Sequence, residues 1–304
     1  MDARLRFRHA LAGPRPVVAP LCLDPLDACL IEEAGFEAGY LSGGALGFRY
    51  AVGEALLTMT EIAAAARRIT ARSDLALIVD GGVGFGDAVH TARATAEFEA
   101  TGAVAVELED QVAPKRLHHH VGVEHLVDTE EMVGKLQAAA GARTDSDFLI
   151  IARTGAFRHE GYEAGIERLA AYRDAGADVL MALVGGEDAG RLGAAAPSRL
   201  GGAPLAIITS LDTRPLAEWG RLGWSLIIDA FTTQALAVAA TRAAYRSYRT
   251  TGVTGTEING MGLHRELVEL TGLDPLLDIE RVTTERVEPT TDTTAPTDRP
   301  TGSA

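Results

Sequence analysis

Three apolar runs in the chain end on charged side chains: 76–80 on Asp80, 105–109 on Glu109 and 148–153 on Arg153. If the first two are neighbouring strands, Asp80 and Glu109 face each other, and their repulsion in a partly dry mouth is costly unless a cation is shared. Donors that are all oxygen suit Mg2+ or Mn2+. Arg153 sets a guanidinium at the third of these ends. The turn Ser42-Gly43-Gly44 closes another run, and Asp110 and Gln111 follow Glu109 directly. In the alternative, purely structural reading, Asp80 and Glu109 only cap the helices that follow them.

His118, His119 and His120 stand in a row, with His125 just beyond. Imidazole titrates near neutral pH, so one of them is a candidate acid or base; an idle, solvated loop is the other reading. Zinc is disfavoured, because consecutive loop residues seldom point at one ion in tetrahedral geometry. Residues 81–86, GGVGFG, resemble an anion-cradling turn, but no lysine or acid follows at the spacing of a nucleotide fold. Cys22 reads as core packing, and with Cys29 it makes two cysteines, too few for a disulfide framework.

These side chains need a scaffold that gathers strand ends. Eight apolar runs, at 17–22, 38–42, 76–80, 105–109, 148–153, 179–183, 205–209 and 225–228, alternate with helical periodicity such as 60–72, 88–100, 129–140 and 162–175. Gly35, Gly102, Gly176 and Gly223 fall where a left-handed residue ends a helix. Strands apolar throughout are buried on both faces, which implies a parallel sheet covered by helices. Eight such units predict a (β/α)8 TIM barrel, typically about 250 residues long, with its reactive groups at the C-terminal strand ends. A doubly wound open sheet is the alternative pattern. The expected layout is one domain over 1–280 that includes a helical segment at 257–277, then a disordered tail over 281–304 rich in Thr, Pro, Asp and Glu.

Of the 304 residues, 42 are acidic and 28 basic, a formal charge of -14 that offers no cationic footprint for nucleic acid. No apolar run is long enough for a membrane span or a signal peptide, so a cytoplasmic protein without membrane partners is expected. Lys115 and Lys135 are the two lysines, which makes the surroundings of each informative.

The segment 109–120, EDQVAPKRLHHH, resembles the EDQ...PKRCGH signature of the isocitrate lyase and phosphoenolpyruvate mutase superfamily. YLSGG at 40–44, VDGGVGFG at 79–86, TEEMVGKL at 129–136 and IIART at 150–154 follow family segments in order and spacing. The resemblance covers residues 16–248 and is greatest toward the carboxyphosphonoenolpyruvate phosphonomutase and methylisocitrate lyase branches. It implies a TIM barrel that works on a small carboxylate beside Mg2+ or Mn2+. It further implies that Asp80 is the direct metal ligand, that Glu109 reaches the metal through water, and that Glu54 stands at an aspartate of the metal's outer shell. Ser42, Gly43 and Gly44 match the turn that binds a substrate carboxylate or phosphonate, and Arg153 the arginine that grips the carboxylate. Lys115 and Arg116 match the basic pair of a mobile loop over the site, and His119 the histidine of that loop. Exchange of a C-terminal helix between subunits, here 257–277, implies a homodimer or homotetramer.

Departures from the family pattern are as informative. Leu117 replaces the cysteine that serves the lyase branch as general acid, and leucine donates no proton. Gly82 and Gly155 stand at family aspartates, Leu183 at a glutamate and Ile208 at an asparagine. The expected function is therefore a metal-dependent lyase or mutase-like enzyme that makes or breaks a bond beside a 2-oxo acid or its enolate, not ordinary isocitrate or methylisocitrate cleavage. A repurposed barrel that only binds a ligand or partner is the alternative.

Overall fold

The computed structural model describes residues 2–255 and 260–285. Its chain divides into two units, 1–255 and 256–304. In the first unit eight parallel strands follow in turn: β1 (Val17–Ala19), β2 (Ala38–Leu41), β3 (Ala76–Asp80), β4 (Ala105–Glu109), β5 (Leu149–Thr154), β6 (Val179–Ala182), β7 (Leu205–Ile208) and β8 (Leu226–Ile228). Their hydrogen-bonded order is β1-β8-β7-β6-β5-β4-β3-β2. The ring closes where Tyr40 N donates to Pro20 O at 2.8 Å and Cys22 N to Tyr40 O at 2.9 Å. This is the TIM barrel, and the pairing of β1 with β8 excludes the open sheet. The first run, expected to reach Cys22, stops as a strand at Ala19. Pro20 has no N–H to give to the ladder, which resumes only as a bridge between Leu21 and Tyr40.

The helices of this unit are α1 (Ala3–Leu11), α2 (Pro25–Glu33), α3 (Gly43–Arg49), α4 (Met59–Thr70), α5 (Ala88–Glu99), α6 (Thr129–Ala142), α7 (Ala156–His159), α8 (Tyr162–Asp174), α9 (Gly186–Arg199), α10 (Leu216–Arg221) and α11 (Thr232–Thr251). The four glycines expected at helix ends all have positive φ, between 82° and 107°.

Strand alternation decides which residues reach the mouth. Ala76 and Ile78 of β3, Ala105 of β4, and Leu149 and Ile151 of β5 belong to the cluster inside the barrel. Leu77, Val79, Val106, Leu108, Ile150 and Ala152 belong to the cluster between sheet and helices. With a period of two, the inward rows continue to Asp80, to Glu107 and Glu109, and to Arg153. The barrel's lower end is plugged by α1, whose Phe7 and Leu11 join the inner cluster. Arg4 latches that helix, donating from Nε to Ala103 O at 3.0 Å, from Nη2 to Glu99 O and from Nη1 to Asp145 Oδ2, both at 2.7 Å.

The last helix after β8 behaves differently. α11 buries no residue along its length, and Leu236 and Tyr245 on it are 64% and 73% exposed. The second unit contains α12 (Gly260–Leu270) and α13 (Asp274–Thr283), neither with a buried residue. The single helical segment expected over 257–277 is thus two helices. Gly272, at φ +67°, ends the first, and the proline at the start of the second presets its opening turn. α13 runs to Thr283, past the expected start of the tail at 281; residues 257–259 of the expected helix and 286–304 of the expected tail lie outside the described residues.

Candidate active site

Parallel register sets Asp80 beside Glu107 and Glu109 beside Arg153. Arg153 lies between two acids, with Nη1 3.0 Å from Glu107 Oε1 and Nη2 3.3 Å from Glu109 Oε2. Asp80 is fixed by two backbone donors at 2.9 Å, Gly43 N to Oδ2 and Gly82 N to Oδ1. Gly43 permits the approach, since a Cβ there would stand 3.1 Å from both Asp80 Oδ2 and Glu54 Cγ. Ser42 caps α3, its Oγ accepting from Ala45 N at 3.2 Å.

Glu54 comes from the turn beyond α3, which folds back as Val52 N donates to Gly47 O at 2.9 Å. A Cβ on Gly47 would stand 2.8 Å from Glu54 N, so a side chain there would push the acid away. Between Glu54 and Glu109 lies Lys115, its side chain only 6% exposed, bonded to Glu54 Oε1 and 2.5 Å from Glu109 Oε1. Burial raises the Glu109 carboxyl, but Lys115 and Arg153 outweigh it and hold the group down at about 2. Burial pushes Glu54 up to about 7 against the pull of Lys115, with repulsion from Asp80 and Glu109 adding to the rise. Burial also disfavours the Lys115 charge, yet the surrounding carboxylates prevail and keep it protonated above the ordinary lysine range.

The lid that carries Lys115 leaves and re-enters at one point. Gln111 bridges Leu126, Val112 N donates to His125 O at 2.8 Å, and Val127 N donates to Asp110 O at 2.9 Å. His119 turns inward, Nε2 3.6 Å from Glu54 Oε2 and Nδ1 3.2 Å from Gln111 Nε2. Burial and then Lys115 push its pKa down. Arg116, expected beside Lys115, is exposed and does not line the cavity; His118 and His120 are exposed as well. Asp110, although adjacent to Glu109, points outward and accepts from Thr154 Oγ1 at 2.6 Å and Tyr172 OH at 2.8 Å, which makes it a brace.

A cavity of about 390 Å3 opens over these groups. Tyr40, Ser42, Gly44, Asp80 and Arg153 form its floor side; Leu183, Ile208, Ala230 and Phe231 give it an apolar flank. Three residues of the site belong to none of the motifs in the sequence: Glu107, Glu124 and His159. Glu107 is fully buried, accepts from Tyr40 OH and pairs with Arg153; burial, against the pull of Arg153, pushes its carboxyl up to about 7. Its signal was parity, two residues before Glu109 on the same strand. Glu124 and His159 also line the cavity, and no spacing rule marks them.

Among the described residues no three His, Cys, Asp or Glu side chains stand together at metal-ligand spacing. In chemistry the donors fit a divalent ion: Asp80, Glu54 and Glu109 offer only oxygens, and all three side chains turn toward one buried spot. The Lys115 ammonium sits between Glu54 and Glu109 as a stand-in cation. No helix among the described residues is long and apolar enough to cross a membrane.

The family model for phosphoenolpyruvate phosphomutase matches residues 7–249. The 2,3-dimethylmalate lyase of Eubacterium barkeri is 33% identical over 92% of this chain and 98% of its own. A probable 2-methylisocitrate lyase of Corynebacterium glutamicum is 45% identical over 59% of this chain, a match that spans only 58% of that relative's length. Among solved structures, a phosphonopyruvate hydrolase complexed with oxalate and Mg2+ superposes with a TM-score of 0.82 at 30% identity, covering 93% of this chain and 100% of the other. The chain therefore belongs to the phosphoenolpyruvate phosphomutase family of enzymes.

Proposed function

We propose that the cavity binds a small 2-oxo acid, or the enolate derived from it, with Mg2+ or Mn2+, and that the enzyme makes or breaks a bond beside the oxo carbon. The observation that carries this reading is the seat of Lys115. A buried ammonium between Glu54 and Glu109, with the guanidinium of Arg153 on the other side of Glu109, marks a place built for positive charge next to a carboxylate grip. A divalent ion held by these acids would supply a Lewis acid for the 2-oxo oxygen. Asp80 would hold the ion directly, with Glu109 and Glu54 reaching it through water. Arg153 orients the substrate carboxylate together with the Ser42-Gly43-Gly44 turn. Lys115 and His119, carried by the lid, exclude water and balance charge as substrate enters.

The substrate's far end meets Leu183, Ile208, Ala230 and Phe231, a flank that offers no hydrogen bond from its side chains to another carboxylate and suits an alkyl group. Leu117 is 57% exposed and carries no proton. Both features argue against ordinary isocitrate or methylisocitrate cleavage. A cytoplasmic homodimer or homotetramer, joined through the C-terminal helices and without membrane or nucleic-acid partners, completes the proposal.

Thermal unfolding with and without Mg2+ and oxalate tests it. A ligand present at about 100 times its Kd stabilises by about 2.7 kcal/mol, so the two together should raise the melting temperature by several degrees, and EDTA should remove the gain. Equal melting temperatures under all these conditions would overturn the reading.

A further inference from the structure

One buried acid in the cavity has no role so far. Glu124 belongs to the segment that carries Lys115, yet its side chain is only 6% exposed and lines the cavity. Its Oε1 lies 3.9 Å from Arg153 Nη2 and 3.8 Å from His119 Nδ1. Oε2 is 3.2 Å from Nε2 of His159, whose ring is 31% exposed and so connects the acid to solvent. The space that Glu124 fills belongs to another residue: a Cβ on Gly155 would collide with Glu124 Oε2 and stand 3.2 Å from its Cδ. Gly155 thus leaves a vacancy on β5's exit that a carboxylate from the lid occupies. His119 is less suited to the same task, because its ring nitrogens face Glu54 and Gln111.

We propose that Glu124 is the proton-transfer residue of the cavity, seated by the absence of a side chain at Gly155 and supplied with protons through His159. This rests on the enolate reading above. In the forward step the enolate carbon takes the proton of the Glu124 carboxyl. A C–H bond forms from the enolate π pair, the O–H bond breaks with its electrons left on the carboxylate, and the enolate oxygen becomes the 2-oxo group. Water then returns the proton by way of His159. The reverse step removes a proton from the carbon beside the oxo group.

Exchange of pyruvate methyl protons in D2O with Mg2+, followed by NMR, reads this step without any bond cleavage. The wild type should exchange them, and Glu124→Gln should be slower by about 100-fold or more, the usual weight of a positioned acid or base. The same variant should keep the melting shift given by oxalate with Mg2+. Gly155→Ala should reproduce the loss, because its methyl expels Glu124. Exchange at the wild-type rate in Glu124→Gln overturns the proposal, and so does a parallel loss of oxalate binding, which would make Glu124 a support for Arg153. A wild type that binds oxalate with Mg2+ yet leaves pyruvate unexchanged overturns the acid role and leaves the functional reading intact. Failure of oxalate and Mg2+ to bind at all brings down both.

Discussion

At the scale of single residues, the site is an excess of acid around two buried cations. Asp80, Glu54, Glu107, Glu109 and Glu124 surround Lys115 and Arg153, and the pairs they form are tight because burial leaves little water to screen them. Asp80 ends a strand and accepts only from backbone amides, so Asp80→Ala should leave the fold intact and abolish Mg2+-dependent stabilisation. Titration calorimetry with Mg2+ checks this, and undiminished binding would remove Asp80 from the metal site. Glu107 is the opposite case, a fully buried acid whose removal strips Arg153 of one partner and Tyr40 of its acceptor. Breaking a buried pair from one side costs about 3–5 kcal/mol. Glu107→Ala should therefore lower the urea midpoint by more than any single truncation on the exposed face of the lid, and a midpoint within error of wild type would show that Glu109 alone satisfies the arginine.

At the scale of elements, the contrast is between strands that fix side chains by register and a loop that reaches over them. Asp80, Glu109 and Arg153 are locked by register, whereas Lys115, His119 and Glu124 ride on a segment whose backbone pairing lies near its ends, at Val112 and Val127, and whose middle is held by side chains. Such a segment opens at low free-energy cost. Amides of residues 115–120 should exchange quickly in the free protein and gain protection with oxalate and Mg2+, by hydrogen-exchange mass spectrometry. Identical exchange in both states at saturating ligand would mean that the lid takes no part. The other lysine supports the floor instead: Lys135 on α6 is 2% exposed and donates to Val83 O at 3.0 Å, holding the glycine-rich turn that follows Asp80.

At the scale of the whole molecule, the barrel closes on itself but leaves helical surface uncovered. α11 buries nothing, and α12 and α13 expose Met261 at 76%, Leu263 at 43% and Leu276 at 57%. Amphipathic helices need a partner surface, and a second copy with closed symmetry is the economical source. Deleting residues 286–304 should leave the mass in solution unchanged, while deleting 256–304 should yield monomers or aggregates. Light scattering decides between them: a chain cut at 256 that keeps the parent's oligomeric mass would show that these helices do not hold the assembly.

The barrel and its chemical mouth were legible in the sequence because both follow from local periodicity. Apolar runs repeated eight times, glycines at helix ends, and charges at the tips of runs each report on a few neighbouring residues, and alternation alone would have added Glu107. Other features depended on contacts between distant segments. In the sequence Lys115 and Arg116 are an undivided basic pair; the fold buries Lys115 between Glu54 and Glu109 and leaves Arg116 in water. Arg4 becomes a latch only because α1 lies where that side chain reaches Glu99, Ala103 and Asp145. Glu124 enters the site beside the distant Gly155, where an empty Cβ position in one segment makes room for a carboxylate from another. Periodicity fixes which face of its own element a side chain takes, whereas such a meeting of lid and strand is decided by packing, which only the tertiary structure specifies.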